Sequence, residues 1–262
     1  VLRTYLLSLI SSGIIRDSKS MNEFFAKSFW AHQFGDMQKL EVIMQKMLQL
    51  LEEWEFVKVT GGEKGDFVSA NSLGGEQHMK ATLIGKRVSE LYLDPLTARH
   101  LLDCLQNWKS DKSVFSLLQM ISHTLEMRPL LRVKAKQQDY IQEELVKRYD
   151  LLLEKEPSAY DLEYPEFINS IKTALFFEGW VDEKGEDFLL EKFDIRPGEI
   201  RVKNTTADWL LYACEELGKI LLYNEVVKEI RKLRVRIKHG VKEELLPLLK
   251  LKGVGRVRAR KM

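Results

Sequence analysis

Cysteine, proline and long apolar runs are all scarce in this chain. Two cysteines, Cys104 and Cys214, stand far apart without Cys-x-x-Cys spacing among 262 residues. That excludes a disulfide framework and a zinc ribbon, and fits buried thiols in a reducing compartment. The histidines (His32, His78, His100, His123 and His239) are scattered with no His-x3-His pair, so no metal site is expected. No apolar stretch approaches the ~20 residues that cross a bilayer, and Val1-Leu-Arg-Thr-Tyr5 is not a signal peptide; a cytoplasmic protein with no membrane partner is expected. Enzymatic signatures are missing too: no Walker phosphate loop, no dinucleotide Gly-x-Gly-x-x-Gly, no nucleophile elbow and no His-Glu-x-x-His. Glu52-Glu53 and Glu215-Glu216 are adjacent carboxylate pairs, but each lies within an amphipathic helical pattern and reads as a solvated face. A self-contained enzyme is not expected.

What is present is an uneven distribution of charge. From Arg231 to Met262 the chain carries twelve Lys or Arg against Glu243 and Glu244, a net +10 where the whole has +2, so residues 1–230 carry −8. Charge gathered at one end attracts a polyanion there. The same block holds Gly253-Val254-Gly255 followed by Arg256, Arg258 and Arg260. Two glycines allow a tight turn with outward N–H groups ahead of a helix start, a shape suited to a phosphate oxygen. Nucleic acid is the leading partner.

Apolar periodicity predicts a mostly α fold. Helices are expected near 2–15, from about 20 with a Ser20-to-Glu23 capping box and Phe24, Phe25, Phe29 and Trp30, and over 38–54. Strands follow at Phe56–Thr60 and Phe67–Ser69, joined by a glycine-rich turn. Three helices and a β-ribbon are the order of a winged helix. Beyond a boundary at Leu93-Asp-Pro95, helices are expected at about 96–108, 113–125, 134–154, 164–178, 183–192, 198–222 and 224–237. Leu101, Leu102, Leu105, Leu117, Leu118, Ile121, Leu145, Tyr149 and Leu152 should share one bundle core. The domains are therefore 1–94, 95–232 and a basic tail, 233–262. Lys27, Lys39, Lys46 and Lys58 are interleaved with glutamates, so the winged helix reads as a packing module rather than a major-groove reader.

The helix opened by Pro197 and Gly198 is the most informative. Leu210, Ala213, Cys214 and Leu217 form its buried stripe, with Trp209 at the edge and Arg201, Thr205, Asp208 and Tyr212 in the adjacent row. Trp209 has two readings, a core residue with its N–H at the rim or a platform on which a base stacks. On the second, Arg201 and Lys203 hold phosphates.

Arg236-Ile-Lys-His-Gly-Val-Lys-Glu-Glu-Leu-Leu246, followed by Gly255-Arg-Val-Arg-Ala-Arg-Lys261, resembles the C-terminal region of archaeal Hjm-type DNA repair helicases, superfamily-two enzymes of the Ski-like group. Pro197-Gly-Glu-Ile200, Ala207-Asp-Trp209 and Phe177-Glu-Gly-Trp-Val-Asp-Glu183 look like that family's helical domain, and Leu83 to Pro95 resembles the junction after its winged helix. The resemblance implies two RecA-like motors ahead of this chain, then winged helix, a seven-helix ratchet bundle and a helix–hairpin–helix domain whose second helix is incomplete at Met262, putting the hairpin's folding in question. ATP and Mg belong to the motors, so this part alone should hold no cofactor and hydrolyse no ATP. The implied parent is a 3′-to-5′ DNA helicase acting on forked or stalled replication intermediates, and the implied partners are single-stranded and forked DNA and its own motors in cis, as a monomer. Trp209 matches the stacking residue of the ratchet helix, while the arginine expected seven residues before it is here Val202, leaving Arg201 or Lys203 to substitute. Gly253, Val254 and Gly255 match the hairpin, and Arg256, Arg258 and Arg260 its DNA-gripping run. A competing reading is a non-enzymatic Sec-type scaffold binding protein or RNA; a free-standing winged-helix regulator lacks its recognition helix. Stacking and phosphate contact accept DNA and RNA alike.

Overall fold

In a computed structural model the described residues are 2–28, 37–61, 77–109 and 111–262, and the chain divides into two compact units, Val1–Arg99 and His100–Met262. Among the described residues there are twelve α-helices and one two-stranded sheet, a mostly α protein with a winged-helix unit and a helical bundle.

The first unit contains α1 (Leu2–Ser11), α2 (Ser18–Ala26), α3 (Met37–Glu53), β1 (Val57–Thr60), β2 (His78–Ala81) and α4 (Leu83–Glu90). Leu6, Leu7 and Ile10 recur at helical spacing on α1 and are buried with Leu40, Met44, Leu48 and Leu51 of α3. Asp17 caps α2: its carboxylate accepts from the Ser20 amide at 2.7 Å while the Ser20 hydroxyl accepts from the Asp17 amide at 3.1 Å. The capping box is thus Asp17 with Ser20, three residues ahead of the expected Ser20 with Glu23, because an ionised carboxylate serves the helix start well. Phe29 and Trp30 lie outside the described residues, as does the expected strand at Phe67–Ser69. The strand paired antiparallel with β1 is β2, with Val57 opposite Ala81 and Thr60 opposite His78. Arg3 and Thr4 donate to the two oxygens of Asp94, at 2.5 and 3.2 Å, tying the start of α1 to the segment that follows α4.

The second unit is built from most of α5 (Pro95–Gln106) and from α6 (Val114–Ser122), α7 (Gln138–Lys147), α8 (Tyr164–Val181), α9 (Glu186–Phe193), α10 (Pro197–Ile220) and α11 (Asn224–His239). The expected helix over 134–154 is α7 flanked by two 3-10 turns, Ala135–Gln137 and Tyr149–Leu151. The break at Arg148 shifts the helical phase, so Tyr149 is exposed rather than in the core. Core positions come from α6 and α8, with Phe115, Leu118, Ile121, Phe167, Ile171, Phe176 and Phe177 fully enclosed. Two buried lysines fasten the connection between α6 and α7. Lys172 donates to Arg132 O and Gln137 Oε1, both at 2.8 Å, and Lys203 to Pro129 O at 2.7 Å and Met127 O at 3.3 Å.

The longest helices, α10 and α11, lie against one another along their length, and Gly218 sets the spacing near their joint. A Cβ there would stand 2.8 Å from Val227 Cγ2. Gly218→Ala should therefore cost about 1–3 kcal/mol through overpacking, read as a lower denaturant midpoint with unchanged slope; an unaltered midpoint would mean that the seam is looser than described.

Candidate nucleic-acid interface

Pro197 opens α10 at the position where a missing N–H costs nothing, and Glu199 Oε2 accepts from the Arg196 amide at 2.9 Å, completing the first turn. The helix then divides by its 3.6-residue period. Ile200, Lys203, Ala207, Leu210, Leu211, Cys214, Leu217 and Gly218 are buried. Arg201, Val202, Thr205 and Tyr212 are exposed on the opposite strip, and Trp209 sits half-buried at its margin.

Lys203 departs from expectation. It lies in the middle of the buried face, its ammonium held by the two loop carbonyls, and burial pushes its pKa down while the Glu199 charge opposes that. It is a structural strut, turned away from the strip that carries Arg201. Val202, at the position of the implied arginine, is 65% exposed. Arg201 is thus the cation of this helix on the outer strip near Trp209.

The helix α11 brings its own cations to this seam. Arg231 and Arg234 both donate to Glu215, at 2.8 and 2.9 Å, and Lys219 adds a third bond at 2.8 Å. Arg234 also reaches Asp208 at 2.9 Å and lies over the Tyr212 ring, 4.9 Å from its centroid. Glu215 is therefore not the solvated carboxylate expected from the sequence. Burial works against its ionisation, yet the bonds from Lys219, Arg231 and Arg234 outweigh this and hold its pKa down at about 2.

Three more cations of the basic block pair with carboxylates in the same manner. Lys232 pairs with Glu229 and Glu243, both at 2.9 Å, and the buried Arg236 reaches Val241 O and Asp182. Gly240 ends α11 with φ +63 directly beneath Trp180, whose indole N–H donates to Ile237 O at 2.7 Å. The tail then folds through two 3-10 turns into α12 (Arg256–Lys261), around a small core of Val241, Leu245 and Ala259 with Val254 packed against it. The tail, whose folding the sequence left in question, is thus folded in this structure. Arg256 lies over Trp180 at 5.5 Å and donates to Glu183 O and Lys184 O, Arg258 donates to Gly253 O at 2.8 Å, and Arg260 pairs with Glu183 and Glu244. Val254 is a packing residue; Gly253, Gly255 and Arg258 are exposed, while Arg256 and Arg260 are engaged within the protein.

A cleft of about 400 Å³ opens at the N-terminal half of α10, lined by Arg201, Asn204, Thr205 and Asp208 from that helix, Trp180 from α8 and Lys238 from α11. Lys238 and Asn204 are residues that sequence reasoning missed. Lys238 was one charge in a run of twelve, and only the crossing of the two helices sets it opposite Arg201. Neither cysteine bears on this surface: burial raises both thiol pKa values and leaves them inert.

The architecture defines a class, a winged-helix unit followed by a helical bundle with a docked basic tail. A family model described as archaeal helicase, domain 4, matches residues 115–240. The whole chain is 36% identical over 264 residues to the ATP-dependent DNA helicase Hel308 of Methanocaldococcus jannaschii and covers 19% of it. It is 32% identical over 290 residues to the Hel308 of Methanococcus vannielii, covering 37% of that protein, and 99% of it aligns at 32% identity with 34% of the Pyrococcus abyssi protein. The chain belongs to this family of Hel308-type archaeal helicases, and it spans only about a fifth to a little over a third of these relatives' length.

A pH dependence follows from Glu215. Its folded pKa lies below the ordinary 4.5, so its contribution is fully present above about pH 4.5 and is lost as pH falls toward about 2. Glu215→Gln should lower stability at pH 7 by about 2 kcal/mol, the scale of hydrogen bonds to charged groups, and flatten the loss of stability across that acid window. Equal pH dependence in both proteins would remove Glu215 from this role.

Proposed function

We propose that this chain is the single-strand-binding accessory region of an ATP-dependent 3′-to-5′ DNA helicase acting on forked or stalled replication intermediates. In this reading α10 is the ratchet helix: a base stacks on Trp209 while motor domains elsewhere in the protein step along the strand. The observation that carries it is the division of α10 into a tightly buried face and an outer strip, with an indole at the strip's margin and Arg201 two turns earlier on it. A ring of that kind offers an aromatic face without base preference. The family relationship supplies the DNA, since the relatives are DNA helicases by name.

The tail takes a narrower part than the sequence implied. With Arg256 and Arg260 engaged within the protein, the arginine of that run it presents to phosphate is Arg258, which donates to Gly253 O, beside the exposed lysines Lys242, Lys250, Lys252 and Lys261.

Trp209→Ala in the full helicase should cut unwinding at least tenfold and leave basal ATPase nearly intact, because the nucleotide chemistry lies outside this region. In the chain itself the same change should weaken binding of a single-stranded oligonucleotide by about 1–3 kcal/mol. Loss of ATPase and of folding together would instead make Trp209 a core residue, and absence of any oligonucleotide binding would favour a protein-binding scaffold.

A further inference from the structure

Five of the twelve cations between Arg231 and Met262 are held in ion pairs within the molecule, whereas Lys238, Lys242, Lys250, Lys252 and Lys261 are exposed and form none among the described residues. Arg231 and Arg234 are bound to Glu215, Lys232 to Glu229 and Glu243, Arg236 to Asp182, and Arg260 to Glu183 and Glu244. Lys238 is exposed and forms no ion pair among the described residues. It is also the cation of this block that lines the cleft on α10, where it meets Arg201, another exposed cation without an ion pair among the described residues.

The cleft's other groups are complementary to a nucleotide. Asp208 brings a negative charge, but Arg234 at 2.9 Å offsets it. Glu186, in the first turn of α9, remains as one carboxylate at the rim against two free cations. Thr205 offers a hydroxyl whose proton is given to Arg201 O at 3.0 Å, leaving its lone pairs outward. The side-chain carbonyl of Asn204 is buried and has no hydrogen-bond partner. An orphaned acceptor in a polar cleft costs about 1–3 kcal/mol unless something donates to it. A base's exocyclic amine or ring N–H is such a donor.

We propose that Lys238 and Arg201 form a cross-helix clamp on one phosphodiester of single-stranded nucleic acid, with the base of that nucleotide donating to Asn204. The inference rests on the strand lying along α10 and adds a subsite one to two turns before Trp209. Because the two cations sit on different helices, the clamp also reports the α10–α11 crossing and fails if that seam shifts.

The test uses the chain with a fluorescently labelled deoxythymidine oligonucleotide, its affinity measured across a salt series. Lys238→Gln should weaken binding about three- to tenfold at low salt and reduce the slope of log K against log salt by part of the roughly 0.7 that the one shared phosphate contributes on a single strand. Arg201→Gln should do the same, and the double variant should lose less than the two single losses combined, since both cations hold one phosphate. Lys250→Gln, a tail lysine outside the cleft, should change little. Trp209→Ala should weaken binding at unchanged slope. If Lys238→Gln leaves the slope untouched while Trp209→Ala still weakens binding, the clamp is overturned and the ratchet reading stands. If neither matters, both fall. If Lys250→Gln matches Lys238→Gln, binding is diffuse attraction and the clamp is overturned as well.

Discussion

Glu215 is the carboxylate on which the arrangement of the second unit turns. It stands on α10 at the border between the buried face and the seam with α11, and three cations converge on it: Lys219 from its own helix, Arg231 and Arg234 from the next. Isolated surface pairs of this type contribute little. A nearly enclosed carboxylate with three donors is different, because removing it would leave Arg231 of α11 without an ion pair among the described residues and Arg234 with Asp208 alone. The register of the two helices is thereby fixed, and with it the position of every exposed side chain that α11 sets beside the outer strip of α10. Arg234 extends the same lock to Asp208 and Tyr212 on that strip, so packing and the candidate interface share one anchor.

Fixing the seam lets a single helix serve two purposes. The inner face of α10 holds the bundle with Ile200, Ala207, Leu210 and Leu217, and Lys203 reaches past them to fasten the loop at Met127 and Pro129. An unpaired amine inside a protein is costly unless its protons are satisfied, and the two carbonyls supply that satisfaction. The outer strip carries no comparable packing duty, so Arg201 and Thr205 can change without disturbing the core. The tail follows the same economy: Gly240, in the left-handed region beneath Trp180, turns the chain back so that Arg256 covers the indole and Arg260 meets Glu183.

Periodicity was enough to place most helices of both units within a few residues, because long amphipathic stretches such as 197–220 have few alternative ways to bury a stripe. It was not enough where a short polar contact decides the outcome. The start of α2 went to Asp17 on the strength of one side-chain bond, and α7 stopped at Lys147 between two 3-10 turns, which moved Tyr149 outward. The position of Lys203 was in fact available from the sequence, since it stands three residues after Ile200 and four before Ala207, both buried. A basic side chain invites a functional reading, and the helical phase argues against one. The fate of the tail's charge was not available at all. Whether twelve cations face a polyanion or their own protein depends on Asp182, Glu183 and Glu215, which precede them by 16 residues or more in the two closest long-range pairs and by over 50 in the others.

On the proposed function, this internal neutralisation sets what kind of grip is possible. A surface that held a strand by counterion release alone would need many free cations along its path, and affinity would then fall by orders of magnitude over a modest rise in salt. Two cations opposite one another on α10 and α11 give a slope of only about −1.4 if each meets its own phosphate, and half that if they share one. At this cleft stacking must then carry most of the binding. A base on an indole contributes ~1–3 kcal/mol whatever its identity, which is strong enough to hold a nucleotide between steps and weak enough to release it thermally. A strand that has to be passed along by motors is better served by one such contact renewed at each step than by a long row of phosphate contacts broken together. On this reading the acidic balance of residues 1–230 and the ion pairs of Arg231, Arg234, Arg236 and Arg260 narrow the surface open to a strand, while the exposed lysines of the tail remain a separate basic patch.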